Sequence, residues 1–434
     1  MEFKIDCHYN PHLPIGAEQM HTVLSVRSIA SEGSFSESRT KKVFGYLIDV
    51  SGSMSGEKLS HAKLALRRQL DMLSAEDFFF IVTFEAKARV LVALTEASPG
   101  ARARAHDAVQ GAGARGGTAM SNALLAACEQ FQAAGNCLAY AQFVTDGEND
   151  NEDAGPLADA IDRCRGIFQC DCWGVGSDWS PTQLRQISNA LLGSADAVPE
   201  PNSLEQMFRA AQQRAASRGI SDVTLRLQIP RNVQVIGVQQ QSPELLDLTA
   251  SARPSADGRE ILVPLGAWAS EARDYYIVTR VPAQLEDEEV MVFRPRIAYQ
   301  TGATQRSFDG PRVVARWTSD SGLSTRIDSQ VAHATGQQEL ADSIREGLEA
   351  KARGEADRAT RLLGKAARLA HASGNDEVTR RLSKVVEMVA PEVGTVRLKS
   401  GINKAAEMEL DLGGTRTVRR RPAATKDVPA NGST

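Results

Sequence analysis

The spacing of apolar residues changes along this chain, and each change marks a domain boundary. Residues 43–50 (VFGYLIDV) form a nearly unbroken apolar run, as expected of a strand covered on both faces. From Glu57 to Ser74 the apolar positions are Leu59, Ala62, Leu66, Leu70 and Leu73, a helical period. DFFFIVTF (77–84) and ARVLVALT (88–95) read as two strands close enough to pair as a hairpin. Helices follow near 100–110 and over Ser121–Ala134, the second opening on a serine suited to an N-cap. CLAYAQFVTDG (137–147) and FQCDCWGVG (168–176) repeat the buried-strand pattern, with a helix near 155–165 between them. Helices near 181–192 and 203–218 close the segment. Such alternation predicts an α/β unit over 41–218: a Rossmann-like, doubly wound and mainly parallel sheet with helices on both faces.

Beyond Gly219 the period shortens. VTLRLQI, VQVIGV, EILVPL, YYIVTRV, EVMVFR and RVVARW are alternating runs separated by Gly, Pro and acidic turns, which predicts an antiparallel β-sandwich over 219–320. HTVLSVRSIA (21–30) has the same character, so the 1–40 segment is expected to lend it a strand. The α/β unit would then be an insertion into the sandwich. Over 325–390 the pattern is helical again, with Ala352, Ala356, Ala359, Leu362, Leu363 and Ala366 at packing positions and Gly354 and Gly374 at turns. A tetratricopeptide-like hairpin and plain core-forming helices both fit, and the second is the simpler. Residues 391–434 lose apolar density and are expected to be a disordered tail.

Composition narrows the function classes. The 434 residues are 42% hydrophobic and 24% charged, with a net charge of −4, so no basic field points to nucleic acid. No run reaches the ~18 apolar residues of a membrane span. The opening MEFKIDCHYN lacks the apolar stretch of a signal peptide, which favours a cytoplasmic protein. The cysteines at 7, 128, 137, 164, 170 and 172 then suggest buried thiols rather than a disulfide framework. Zinc on Cys164, Cys170 and Cys172 is the alternative, although the spacing lacks a CxxC pair. His8 and His12, either side of Pro11, read as surface residues rather than ligands.

The chemistry concentrates in three pieces. Asp49-Val50-Ser51-Gly52-Ser53 is a D-x-S-x-S pattern at the C-terminal end of the first buried strand, the edge where open α/β sheets bind ligands. Gly116-Gly117-Thr118 follows, then Thr145-Asp146-Gly147 at the end of the 137–145 strand. Singly, such Ser and Asp residues are usually turn formers or caps. As an ordered set over about 180 residues, the pieces resemble the metal-ion-dependent adhesion site of the von Willebrand factor A family, in a bacterial cytosolic type. The resemblance implies a Mg2+ site, with Mn2+ or Ca2+ as alternatives. Ser51, Ser53 and Thr118 would offer hydroxyl oxygens, and Asp49 and Asp146 would act directly or through water. Mg2+ prefers oxygen ligands in near-octahedral array. Two carboxylates with neutral hydroxyls leave such an ion electrophilic towards an Asp or Glu of a protein partner.

The resemblance thus implies a cation-dependent protein-interaction module or scaffold with no enzymatic activity. It is similar to bacterial A-domain proteins of Ser/Thr kinase, phosphatase and stress-response systems, and more remotely to inter-alpha-trypsin inhibitor heavy chains. An accessory subunit of a MoxR- or chelatase-type AAA+ ATPase is the alternative, and a metal-dependent hydrolase a further one. Enzyme motifs are missing: there is no P-loop and no HExxH, and Gly52-Ser53-Met54-Ser55-Gly56 places Met where a nucleophile elbow needs Ser. Asp146 to Asp153 holds five acidic residues in eight, read as a solvated loop, with a second cation site as the alternative. In the tail, Thr415 and Thr417 beside Arg419, Arg420 and Arg421 are candidate phosphorylation sites. Phosphothreonine there would suit a forkhead-associated (FHA) domain partner, the alternative being a plain solvated basic end.

Overall fold

The computed structural model describes residues 1–29, 41–149, 152, 154–301 and 304–419. Within them, two elements of the chain enclose a third. Strands β1 (Glu2–His8), β2 (His12–Pro14) and β3 (Gln19–Ile29) belong to the same sandwich as the strands that follow Gly219, so the α/β unit is inserted between β3 and the later strands.

The insert opens with β4 (Lys42–Asp49), α1 (Glu57–Met72), β5 (Phe78–Phe84), β6 (Ala88–Glu96), α2 (Pro99–Gly111) and α3 (Met120–Ala134). It continues with β7 (Leu138–Thr145), α4 (Ala154–Cys164), β8 (Gln169–Val175), α5 (Pro181–Ala190), β9 (Ala195–Val198) and α6 (Leu204–Ala216). Strand order is β6-β5-β4-β7-β8-β9, parallel except for the antiparallel edge strand β6. Alternation along β4 explains the two cores. Val43 and Leu47 face the layer of α3, α4 and α5, whereas Phe44, Tyr46 and Ile48 face α1, α2 and α6. Gly45 is required between them, because a Cβ there would stand 2.4 Å from the ring of Phe80, which packs edge-on against Phe131. Strand β9 is too short to announce itself by period and was not expected from the sequence.

The sandwich is completed by β10 (Ile220–Gln228), β11 (Gln234–Ser242), β12 (Leu246–Asp247), β13 (Arg253–Pro254), β14 (Glu260–Trp268), β15 (Ala272–Arg280), β16 (Glu289–Thr301), β17 (Thr304–Asp309) and β18 (Val313–Thr318). One sheet runs β1-β3-β15-β11-β12 and the other β13-β14-β10-β16-β18-β2, with β17 on β16. Leu24 and Val26 of the first sheet share a core with Val263, Leu265, Trp268, Phe293 and Trp317 of the second and with Tyr275. The expected antiparallel pattern holds except at one edge, where β2 pairs in parallel with β18.

The C-terminal unit has α7 (Ser321–Ser324), α8 (Ser329–Ala352), α9 (Ala356–Ser373) and α10 (Asp376–Val385), then a hairpin of β19 (Val386–Ala390) and β20 (Thr395–Leu398), and α11 (Lys404–Gly413). Here the expectation of a disordered tail from 391 is corrected. Helix α11 is a wedge: Met408 and Leu412 enter the α3–α5 core of the insert, while Leu410 enters the core of the helical unit. Its apolar residues are few but bury in two directions, so low apolar density did not mean disorder.

The correction extends to the candidate phosphorylation sites. Thr415 Oγ1 donates to the Leu412 carbonyl at 2.8 Å, and Thr417 Oγ1 donates to the carbonyls of Gln241 at 2.5 Å and Pro243 at 3.1 Å. Both lie on a strap, residues 415–419, packed on the sandwich and not on a flexible end. Residues 420–434, including Arg420 and Arg421, lie outside the described residues. No helix among the described residues is long and apolar enough to cross a membrane.

Candidate functional site

Sheet order places the site. The crossover from β4 leads to β5 on one side, whereas β7 lies on the other, so the chain reverses direction across the sheet between β4 and β7. At such a switch point the two loops leaving the C-terminal strand ends splay apart and leave a crevice. Ile48 pairs with Val144, which sets Asp49 beside Thr145 at the mouth. The loop after β4 carries Ser51 and Ser53. Gly52 N–H donates to the Gly116 carbonyl at 2.9 Å and Arg115 N–H to the Val50 carbonyl at 2.7 Å, so the Gly-rich loop lies against it and delivers Thr118. Gly116 has φ +69°, a left-handed conformation that favours glycine.

Asp49, Ser51, Ser53 and Asp146 come together in a hydrogen-bonded series, with Thr118 close beside it. Asp49 accepts from Ser51 N–H at 2.7 Å on one oxygen and from Thr145 Oγ1 at 2.6 Å on the other. Ser51 and Ser53 hydroxyls are 3.0 Å apart, and Ser53 donates to Asp146 Oδ1 at 2.7 Å. Asp146 Oδ2 accepts from Lys58 Nζ at 2.5 Å. Thr118 is brought in through Gly147: a Cβ on that glycine would stand 2.9 Å from Thr118 Oγ1 and 3.7 Å from Ser53 Oγ. Asp49, Ser51, Thr118 and Asp146 are buried, and Ser53 is exposed at the entrance. Burial pushes the Asp49 carboxyl up to about 6, helped by the charge of Asp146 and opposed by its bonds from Thr145 and Ser51.

These residues suit a hard divalent cation. Oxygens at about 2.0–2.1 Å from Mg2+ in an octahedron lie about 2.9 Å from one another, close to the hydroxyl and carboxylate spacings present here. A hydroxyl donating to its neighbour can turn a lone pair to a cation with little movement. Among the described residues, no group of three or more His, Cys, Asp or Glu is placed to hold a metal, so a cation held here would have to draw on the hydroxyl oxygens as well as the two carboxylates. The zinc alternative finds no such cluster: all six cysteines are free, and burial raises the thiols of Cys164 and Cys170.

The acidic run after Asp146 is partly a capping device. Asn149 Oδ1 accepts from Met120 N–H at 2.7 Å, and Glu152 accepts from Ser121 N–H at 2.8 Å and from the Ser121 hydroxyl. Helix α3 is therefore capped from a distant loop rather than by Ser121 as N-cap, its N-cap residue being Ala119. Glu148 is exposed, and Asp150 and Asp153 lie outside the described residues. Sequence reasoning missed Thr145, although it stands in the Thr-Asp-Gly piece. It also missed Lys58, for which the sequence carried no signal.

Comparisons with known proteins agree with this architecture. The von Willebrand factor type A domain profile matches residues 46–196, and the von Willebrand factor type A C-terminal domain profile matches 368–414, the segment that includes α11. An uncharacterised protein of Synechocystis is 28% identical over 215 residues, which is 47% of this chain and 49% of that protein. Human inter-alpha-trypsin inhibitor heavy chain H4 is 25% identical over 236 residues, 48% of this chain but 25% of that protein. The chain thus spans half or less of the length of these relatives. A solved von Willebrand factor type A structure from Catenulispora acidiphila superposes with TM-score 0.90 at 35% identity, covering 96% of this chain and 97% of that one. The ArnB paralog VWA2 from Sulfolobus acidocaldarius shares the fold, with TM-score 0.60 at 12% identity over 96% of this chain and 99% of that one. Domains of this type are protein-interaction modules, and this chain belongs to the von Willebrand factor type A family.

Proposed function

We propose that this protein is a cation-dependent protein-binding module without catalytic activity of its own. In this reading, Asp49, Ser51, Ser53, Thr118 and Asp146 hold Mg2+, or Mn2+ or Ca2+ in its place, at the switch-point crevice. The observation that carries it is the convergence of two buried carboxylates and three hydroxyls on one solvent-facing mouth. A bound divalent cation would supply an electrophilic position for an Asp or Glu carboxylate of a protein partner. The chain's own residues orient that position. Thr145 and the Ser51 N–H fix both oxygens of Asp49, and Gly147 leaves room beside Thr118 Oγ1. Exposure of Ser53 gives a partner side chain its approach.

The test is affinity capture with the full chain in Mg2+ and in EDTA, alongside calorimetric titration with MgCl2 and MnCl2. Metal-dependent capture that EDTA reverses, and that Asp49→Asn abolishes while the variant stays folded, is the expected result. Equal capture in EDTA and Mg2+, or no heat of metal binding, would overturn the reading.

A further inference from the structure

Lys58 stands in the first turn of α1, outside the motif that defines the site, yet its ammonium touches one of the two buried acids. Nζ lies 2.5 Å from Asp146 Oδ2, and Asp146 is completely buried while Lys58 keeps 25% of its side chain exposed. On its other side Nζ is 3.9 Å from Asp178 Oδ2, a carboxylate 69% exposed. The ground between is shaped for this side chain. Gly176, at φ +77°, lies under the lysine stem, and a Cβ there would stand 3.4 Å from Lys58 Cε. The loop bearing Asp178 is pinned by buried Trp179, whose indole N–H donates to the Gly176 carbonyl at 3.1 Å. Lys58 therefore has a buried carboxylate on one side and an exposed one on the other, both within 4 Å of its ammonium.

Two carboxylates buried at one mouth repel each other, and a single cation placed on Asp146 relieves that repulsion. A divalent ion held by the same carboxylate would meet the lysine charge at close range. Both cations cannot keep Asp146 Oδ2 as a near neighbour without a large mutual repulsion. A lysine ammonium is a compact, mobile point charge on a flexible stem, suited to exchange between two acids.

We propose that Lys58 is a built-in competing cation, holding Asp146 in the metal-free protein and moving to Asp178 when a divalent ion loads. It rests on the metal-site reading above and goes beyond it by naming what sets the affinity. Lys58 keeps the metal-free site folded and neutralised, and it lowers metal affinity so that the site exchanges its ion. Asp178 is a positioning residue that receives the displaced charge.

The test is calorimetric titration of the full chain with MnCl2 and MgCl2, for wild type, Lys58→Met, Lys58→Gln, Lys58→Arg, Asp178→Asn and the Lys58→Met/Asp178→Asn pair. Melting temperatures without metal are measured alongside. Lys58→Met and Lys58→Gln are expected to bind Mn2+ about tenfold more tightly than wild type. Lys58→Arg keeps the charge and stays near wild type. Asp178→Asn weakens binding about two- to threefold in the wild-type background and has no effect in the Lys58→Met background. Metal binding by wild type with unchanged or weaker binding by both neutral variants would overturn the role of Lys58 alone. An equal Asp178→Asn effect in both backgrounds would overturn the exchange. Absence of binding in every variant would sink the metal site and Lys58 together.

Discussion

Buried acids occur at both ends of the parallel sheet, and their neighbours differ. At the C-terminal strand ends, Asp49 and Asp146 are surrounded by hydroxyls, one backbone N–H and a single lysine that reaches solvent. At the start of β9, Asp196 faces the seam where insert, sandwich and C-terminal unit meet, whereas Asp171 near the start of β8 accepts from the Tyr140 and Ser194 hydroxyls and the Ser194 N–H. At the seam Asp196 pairs with Arg416 and lies 3.8 Å from Arg381, which pairs with Glu377 at 3.0 Å. Arg419 reaches Asp274 of the sandwich with two bonds of 2.8 and 3.0 Å. Guanidinium pairs fill the carboxylate lone pairs with fixed donors, which locks three units together and leaves little for a ligand. Hydroxyls satisfy the same lone pairs with groups that can also turn to a cation. Between Asp196 and the Asp49–Asp146 pair, the chemistry of the neighbours, more than burial, separates a seam from a site.

Substitutions at the two ends should therefore fail in opposite ways. Asp49→Asn should remove metal binding completely by calorimetry, with the melting temperature unchanged or raised, since it takes away a charge that burial disfavours. Asp196→Ala should do the reverse. It removes the carboxylate that Arg416 and Arg381 share, leaving them to Glu377 and Glu409, and costs about 3 kcal/mol in urea unfolding, with metal affinity intact.

A pH series sharpens the contrast at the seam. Glu244 is pushed up to about 8 by burial, with Asp196 and Asp171 adding repulsion and Arg416 opposing them. The folded state thus holds a proton that the unfolded chain releases near the ordinary glutamate range of about 4.3. Stability associated with Glu244 is highest below that range and declines as pH rises through about 8. Glu244→Gln should remove this decline, so its advantage in melting temperature over wild type grows from pH 5 to pH 8. A constant difference across the series would exclude ionisation of Glu244 as the cause. The smallest effect is expected at the strap, where Thr417→Val loses its hydroxyl bonds to Gln241 and Pro243 at a cost of about 1 kcal/mol in the same unfolding assay.

How much was readable follows from where each signal lies along the chain. The buried runs of β4, β7 and β8 announced a parallel sheet, and the alternating HTVLSVRSIA segment announced that the α/β unit interrupts a sandwich. Asp49, Ser51, Ser53, Thr118 and Asp146 could be named as candidates because the short motifs that hold them, taken in order, resemble the family's adhesion site, and the fold brings those motifs to one mouth. Helix α11 was not legible, since Met408, Leu410 and Leu412 make sense only against two separate cores that the local sequence does not contain. The same holds for α3, whose capping groups Asn149 and Glu152 come from about thirty residues away.

Local periodicity by itself determined the fold class and the nested domain order, and the resemblance of three short motifs to the von Willebrand factor A adhesion site supplied the candidate ligand set. The periods are encoded in residues a turn or a strand apart, where backbone geometry alone decides which side chains share a face. Tertiary structure alone decided that Lys58 meets Asp146, that Arg416 meets Asp196, and that Thr415 and Thr417 are packed rather than offered to solvent. Those outcomes depend on charges and hydrogen bonds between distant segments. Their partners are fixed only when the sheet order and the docking of α11 bring the segments together.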